Sequence, residues 1–148
     1  MLFRSRHRLI KGRGAAHLRE KCVAAAAKNF VVVVDEQKMV KELGAAAVPV
    51  EVLPFAIMPV LNELSRLGAV PVIREAVKKD GPVITDNGNF VVDCRFSCIR
   101  NPENLEATLA SIPGIIESGL FCGFTRKTTV VIGGQKKVKI RSSADIIT

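Results

Sequence analysis

The order of secondary structure predicted between residues 50 and 121 restricts the possible folds of this chain more than any other feature. The turn Asp86-Asn87-Gly88-Asn89 separates two of the strands, since Asn-Gly pairs adopt positive φ readily. Strands are predicted at 50–53, 70–74, 90–96 and 115–121, and helices at 55–67 and 103–111. This strand-helix-strand-strand-helix-strand order is typical of a ferredoxin-like α+β unit.

A different unit is predicted before it. Residues 15–28 are rich in alanine, the strongest helix former, and residues 30–34 are a continuous Phe-Val-Val-Val-Val stretch. Such stretches are typical of strands buried on both faces in parallel sheets. Together with a strand end at 8–10, they predict a right-handed β-α-β unit. The predicted fold class is therefore α/β, with a partial Rossmann-like parallel sheet unit plus a ferredoxin-like α+β (βαββαβ) subdomain.

Four segments follow from this division. Residues 8–47 are the remnant of the Rossmann-like domain, in which Asp35 is a helix N-cap, 35–43 a short helix and 45–49 a linker. Residues 48–116 are the ferredoxin-like subdomain, and 117–141 are closing strands that return to the main sheet. Residues 1–7 and 142–148 are predicted tails. We interpret the first as foreign sequence joined to a truncated reading frame, and a targeting remnant is the alternative.

Composition narrows the function. The 148 residues carry a net charge of +8, which favours anionic partners or is simply a solvated basic surface. The four cysteines form no C-x-x-C pair and the histidines are His7 and His17, so no zinc site is expected. Scattered cysteines in apolar surroundings favour buried thiols in a reducing, cytoplasmic environment. No stretch approaches the roughly 18 apolar residues of a membrane span.

The segment Lys11-Gly12-Arg13-Gly14 runs directly into the first helix. Glycines let the backbone approach a ligand, a helix start offers free N–H groups, and Lys11 adds a cation. The segment therefore predicts an anion-binding loop. An ordinary strand-to-helix turn remains the alternative.

Glu20 is the candidate proton-transfer group. Ala16, Val23, Ala24 and Ala27 fall within about 60° of it on a helical wheel, so we expect a carboxylate on a covered, small-residue surface. Such a group suits general base catalysis. The alternative is a rim glutamate paired with a nearby lysine, Lys21 or Lys28.

Two lysines follow predicted strands. Lys11 follows the first strand and Lys38 comes shortly after the strand at 30–34, so both are expected at the ligand-binding edge of one sheet. The alternative for Lys38 is a solvated first-turn residue. Arg74 and the segment 78–80 are interpreted as hairpin surface without a role.

On these residues the chain resembles type A ribose-5-phosphate isomerase over roughly residues 10–141. The resemblance begins with Lys11-Gly12-Arg13-Gly14-Ala15-Ala16 and Arg19-Glu20-Lys21. Further motifs follow in unbroken order: Val33-Val34-Asp35-Glu36-Gln37-Lys38, Val48-Pro49-Val50-Glu51-Val52-Leu53-Pro54, Val83-Ile84-Thr85-Asp86-Asn87-Gly88-Asn89-Phe90, Ile112-Pro113-Gly114 and Gly119-Leu120-Phe121.

The resemblance implies an aldose–ketose isomerase that interconverts ribose 5-phosphate and ribulose 5-phosphate through an enediolate. It implies no metal and no cofactor, Glu20 as proton shuttle, and Lys11 as oxyanion stabiliser beside Gly12, Arg13 and Gly14. Lys38 would bind substrate. It also implies a homo-oligomer, either a dimer or a tetramer, in the pentose phosphate pathway.

The chain departs from the family pattern in several places. Arg13 stands where a glycine is common, His17 where an apolar residue is usual, and the family's phosphate loop and paired aspartates have no counterpart here. We therefore expect these 148 residues alone to be inactive, and to aggregate through exposed apolar sheet surface and an unpaired strand edge. The alternatives are a non-catalytic interaction or regulatory fragment and an RNA-binding module.

Overall fold

The structure is a computed structural model that describes the backbone of residues 2–4 and 8–142, and side chains from residue 8 to residue 142. Most of the predicted tails, 1–7 and 142–148, lie outside the described residues. Leu2–Arg4, predicted as part of a tail, is strand β1 and pairs antiparallel with β2 (Arg8–Ile10).

The ferredoxin-like subdomain is confirmed. Its strands β4 (Val48–Val52), β5 (Val70–Ile73), β6 (Phe90–Arg95) and β7 (Ile115–Ser118) form one antiparallel sheet in the order β5-β6-β4-β7. The crossovers carry helices α2 (Ile57–Arg66) and α3 (Pro102–Ala110). Asn101 caps α3 by accepting a hydrogen bond from the backbone amide of Asn104, and Gly68, with a φ of +83°, follows the end of α2.

The remaining strands form two further three-stranded sheets. The first has the order β1-β2-β8, where β8 is Leu120–Phe121. The second has the order β10-β9-β3, with β3 at Phe30–Asp35, β9 at Thr128–Gly133 and β10 at Val138–Arg141. Helix α1 (His17–Ala26) connects β2 to β3.

The expected β-α-β unit is corrected by these pairings. Strand β2 pairs with β1 and β8, whereas β3 pairs in parallel with β9, so β2 and β3 are not neighbours in one sheet among the described residues. The parallel ladder of this fold therefore comes from strands about 100 residues apart, a pairing that local sequence patterns do not encode.

Strand β3 is covered on one face only, which corrects the expectation of a strand buried on both. Val32 and Val34 are buried, whereas Val31 and Val33 are 58% and 70% exposed. Strand β3 also lies at the edge of its sheet. The expected apolar surface and open strand edge are therefore present among the described residues, and aggregation stays a prediction.

Three local predictions need correction. The helix expected at 35–43 is a single 3-10 turn, Glu36–Lys38, although Asp35 does cap it by accepting from the Gln37 amide. The linker expected at 45–49 ends early, because its last two residues belong to the buried strand β4. The strand expected at 115–121 is divided at Gly119 into β7 and β8.

The core has two parts. The larger lies between the ferredoxin-like sheet and its helices, and includes Val48, Val50, Leu64, Val92 and Leu109, all fully buried. The smaller packs α1 against β3, β8 and β9. The lysine–glycine loop, residues 11–14, begins where these two parts meet, because β2 contributes Ile10 to the first and Leu9 to the second.

Candidate active site

The lysine–glycine loop is held in place by backbone hydrogen bonds. The Lys11 amide donates to the Gly119 carbonyl at 2.8 Å, and the Gly119 amide donates to the Pro49 carbonyl at 2.7 Å. A Cβ at Gly119 would lie 2.2 Å from the Lys11 carbonyl oxygen, so this junction admits glycine alone without displacement of the backbone. The loop is thereby fixed to both parts of the fold.

The turn itself depends on Gly12. Its φ is +100°, and a Cβ there would approach His17 Nδ1 to 2.7 Å and Pro49 Cγ to 2.8 Å. The carbonyl of Gly12 accepts from the Ala15 amide at 3.1 Å, and Ala15 itself has a φ of +61°. By contrast, a Cβ at Gly14 would meet nothing within 4 Å.

The turn brings Lys11 and Glu20 together. Lys11 Nζ lies 3.1 Å from Glu20 Oε1, with the lysine side chain 16% and the glutamate side chain 40% exposed. Glu20 is in the first turn of α1, where the helix dipole favours a negative charge. The pair is a half-buried base beside a cation, which is the arrangement that proton transfer next to a developing oxyanion requires.

The surroundings of Glu20 differ from expectation. Ala16 and Val23 beside it are exposed, the latter at 69%, so the small-residue surface is open in the described part of the chain. The buried face of α1 instead carries His17, Lys21 and Ala24. Cys22, on the same helix, is exposed as well.

Lys21 is not the partner of Glu20. It is 8% exposed, and its Nζ lies 2.9 Å from Glu106 Oε1 and 2.7 Å from Glu117 Oε1. The same ammonium group lies 5.1 Å from the centroid of the Phe121 ring. Lys21 therefore anchors the inner face of α1, while Glu20 projects from the outer face.

His17 fills the position where the family resemblance implies an apolar side chain. It is fully buried, and its Nε2 lies 3.2 Å from the Glu117 carbonyl oxygen. Burial lowers the pKa of His17 below its usual value of 6.5, because the charged imidazolium would lose solvation. His17 is thus a neutral packing residue beneath the loop.

Arg74 contacts the lysine–glycine loop, which the sequence did not predict. Its Nη1 donates to the carbonyls of Gly12, at 3.0 Å, and Arg13, at 2.9 Å. Its Nε and Nη2 contact the two carboxylate oxygens of Asp93 at 2.8 and 2.5 Å. The interpretation of Arg74 as hairpin surface is wrong. Asp93 lies opposite Val72, two residues before Arg74, so the two side chains are diagonal neighbours across β5 and β6.

A second overlooked contact joins α1 to the Asn-Gly turn. Arg19, adjacent to Glu20, donates to Asn87 Oδ1 at 3.1 Å and to the carboxylate and carbonyl of Asp86. The fully buried Glu51 stabilises the turn by accepting hydrogen bonds of 2.9 to 3.0 Å from three of its side chains. The donors are Thr85, Asn87 and Asn89.

The other predicted site residues are exposed and lie outside the Lys11–Glu20 ion pair. Arg13 and Gly14 are exposed on the loop, and Arg13 borders an open pocket of about 860 Å³ together with Lys11, Arg74 and Asp93. Lys38 is exposed in the turn after β3, and no hydrogen bond or ion pair connects it to the Lys11–Glu20 pair within the described residues.

The cysteines are all free. Cys94 and Cys122 are buried, which raises the pKa of each thiol to about 12, whereas Cys22 and Cys98 are exposed, contrary to expectation. Within residues 8–142, no three His, Cys, Asp or Glu side chains are grouped so that they could hold a metal ion. None of the described helices is long and apolar enough to cross a membrane.

An α/β chain with a ferredoxin-like subdomain and a lysine–glutamate pair at a glycine loop can be compared with known proteins. The family model of ribose 5-phosphate isomerase A (phosphoriboisomerase A) matches residues 3–137. The chain belongs to this family.

Individual relatives agree with this assignment. The ribose-5-phosphate isomerase A of Methanoregula boonei is 62% identical over 140 residues, which are 95% of this chain and 59% of that protein. The structure of ribose 5-phosphate isomerase A from Methanocaldococcus jannaschii superposes with a TM-score of 0.88 at 43% identity, covering 95% of this chain and 61% of that one. A D-ribose-5-phosphate isomerase solved in complex with phospho-erythronic acid gives a TM-score of 0.90 at 42% identity, with the same coverage. The chain thus spans about three-fifths of the length of these relatives.

Proposed function

We propose that this chain carries the proton-transfer half of an isomerase that interconverts ribose 5-phosphate and ribulose 5-phosphate. The observation that carries the proposal is the 3.1 Å contact between Glu20 and Lys11 at the glycine loop of a member of this family. Neither alternative, an interaction fragment or an RNA-binding module, accounts for a glutamate and a lysine held together at the start of a helix.

The proposed reaction moves one proton between adjacent carbons. The carboxylate of Glu20 takes the proton from C2 of the aldose, and the electron pair left behind shifts onto the carbonyl oxygen at C1 to form an enediolate. Lys11 and the loop amides stabilise the oxygen that becomes negative. Glu20 then returns the proton to C1 while the hydroxyl proton on the C2 oxygen passes to the C1 oxygen, which gives the ketose and regenerates the carboxylate.

The roles of the other loop residues belong to the same proposal. Gly12, Arg13 and Gly14 would contact substrate oxygens, and Arg13 is an exposed cation on the rim of the pocket. Lys38 would bind the substrate from the turn after β3. The sugar phosphate is the proposed partner, within a cytoplasmic homo-oligomer, and we do not expect nucleic acid or a membrane as partners.

The test uses a composite enzyme, in which residues 8–142 replace the matching segment of the Methanoregula boonei relative. This replacement is feasible because the two sequences are 62% identical. The composite enzyme should convert ribose 5-phosphate to ribulose 5-phosphate, measured by the absorbance of the ketose product. The 148-residue chain alone should show little turnover, since the phosphate loop and paired aspartates implied by the resemblance are absent from its sequence.

Glu20→Gln in the composite enzyme tests the assignment of the base. The amide cannot accept the proton, so kcat should fall by about 100- to 10,000-fold. Glu63→Gln is the matched control. It makes the same replacement of a carboxylate oxygen by an amide nitrogen, at a partly exposed glutamate of α2. Full activity of the Glu20→Gln variant would refute the proposed mechanism.

A further inference from the structure

Arg74 joins the ferredoxin-like subdomain to the glycine loop. It follows β5, and the carboxylate of Asp93 on the neighbouring strand β6 holds its guanidinium by two contacts. The remaining nitrogen, Nη1, reaches two consecutive carbonyls of the loop, those of Gly12 and Arg13. The Arg74 side chain is mostly buried, at 18% exposure. Its bonds to Asp93 and to the Gly12 carbonyl are part-buried, whereas its bond to the Arg13 carbonyl is exposed.

These bonds also determine where the loop amides point. The loop peptides are trans, so the N–H of each peptide points away from its own carbonyl. Because Arg74 attracts the carbonyls of Gly12 and Arg13, the amides of Arg13 and Gly14 are directed to the opposite side. Neither amide donates to an acceptor within residues 8–142. Two successive free amides with one direction form a concavity that attracts anions.

We propose that Arg74, held by Asp93, is a positioning residue that directs the amides of Arg13 and Gly14 toward the oxygen anion of the enediolate. The inference rests on the proposed function, because it assigns those amides to the oxyanion that forms beside Lys11. Arg74 itself faces the carbonyl side of the loop and touches no reacting atom.

The planar fork of arginine explains the residue type. Arginine can contact a carboxylate with two nitrogens and a backbone carbonyl with a third, whereas lysine offers one point of attachment. An Arg74→Lys variant can therefore keep an ion pair with Asp93 while it loses the hydrogen bonds to the loop carbonyls. This separates a positioning role from a purely structural ion pair.

The loop is tested first in the composite enzyme by NMR hydrogen exchange. The reporter is the Ala15 amide, which donates to the Gly12 carbonyl. In Arg74→Lys and Arg74→Met its exchange should rise about 10- to 100-fold, since hydrogen bonds to charged groups are lost. Arg95→Met is the control, because Arg95 is an exposed cation on the same pocket. Amides of the β4–β6 ladder should be unchanged in Arg74→Lys.

Turnover of the composite enzyme completes the test. Arg74→Lys should lower kcat at least about tenfold with little change in KM, because the amides act on the charge that develops during reaction. Unchanged Ala15 exchange and unchanged kcat in Arg74→Lys would overturn the inference, even if Arg74→Met fails to fold. If Glu20→Gln retains full activity, the proposed function fails instead, whatever the exchange data show.

Discussion

The two glycines of the loop provide a matched pair for one stringent prediction. Gly12→Ala and Gly14→Ala make the same change two residues apart, yet the structure assigns them opposite effects. Gly12 has a φ of +100°, and an added Cβ would lie 2.7 Å from His17 Nδ1 and 2.8 Å from Pro49 Cγ. At Gly14 the added Cβ would meet nothing within 4 Å.

The expected cost at Gly12 has two sources. A left-handed backbone costs a non-glycine residue about 1–2 kcal/mol. Forcing a methyl group into a packed site costs about 1–3 kcal/mol more, because His17 is fully buried and cannot move into solvent. The free energy of unfolding should therefore fall by about 2–5 kcal/mol. Gly14→Ala should instead raise it by about 0.4–1 kcal/mol, since alanine restricts the unfolded chain.

Urea unfolding of the composite enzyme, followed by circular dichroism, measures both effects. With a denaturant slope of about 2 kcal/mol per molar, the midpoint of Gly12→Ala should fall by about 1–2.5 M. The Gly14→Ala midpoint should equal or slightly exceed that of the unmodified chain. Equal midpoints for the two variants would refute the account of the loop given above, because only the environment distinguishes the two positions.

Three further predictions concern buried charged or titratable groups. Lys21→Met should lower the unfolding free energy by about 3–5 kcal/mol, since two carboxylates lose their shared cation, whereas Lys28→Met on the exposed surface should change it little in the same urea titration. Because the pKa of His17 is below 6.5 in the folded state, only the unfolded chain gains that proton as the pH falls, so stability should decline below about pH 6.5 by up to about 1.4 kcal/mol per pH unit. In His17→Leu, this decline in the free energy of unfolding should be absent when urea titrations are repeated over a series of pH values. Cys94 and Cys122, with pKa values of about 12, should react with a thiol reagent only in urea, while the two exposed cysteines should react within the native protein; rapid native labelling of all four would contradict the structure.

The sequence predicted the ferredoxin-like subdomain well because its signals are local. Turn residues such as Asn87 and Gly88, together with the predicted helices at 55–67 and 103–111, define the element order, and the order nearly determines the sheet. The main sheet was harder, because β3 pairs with a strand about 100 residues away. A run of valines indicates a strand, but it does not indicate which strand pairs with it or which of its faces are buried.

The candidate site was predicted in part for the same reason. Glu20 and Lys11 were identified from the loop-helix spacing, and the structure brings them into contact. Arg74 was overlooked, since its role depends on Asp93 across the sheet and on the carbonyls of the loop. Contacts that arginine makes with backbone atoms leave no pattern in the sequence, and neither does the choice of Lys21 rather than Glu20 for the inner face of α1.

The junction at Gly119 has a consequence for how the molecule unfolds. Its amide and carbonyl connect Pro49 in the ferredoxin-like sheet to Lys11 at the end of β2, through main-chain atoms that no side-chain substitution elsewhere can remove. The two parts of the fold are therefore joined rigidly through the backbone of Gly119. We expect them to melt in a single cooperative transition, with equal calorimetric and van't Hoff enthalpies, and not as two separable modules.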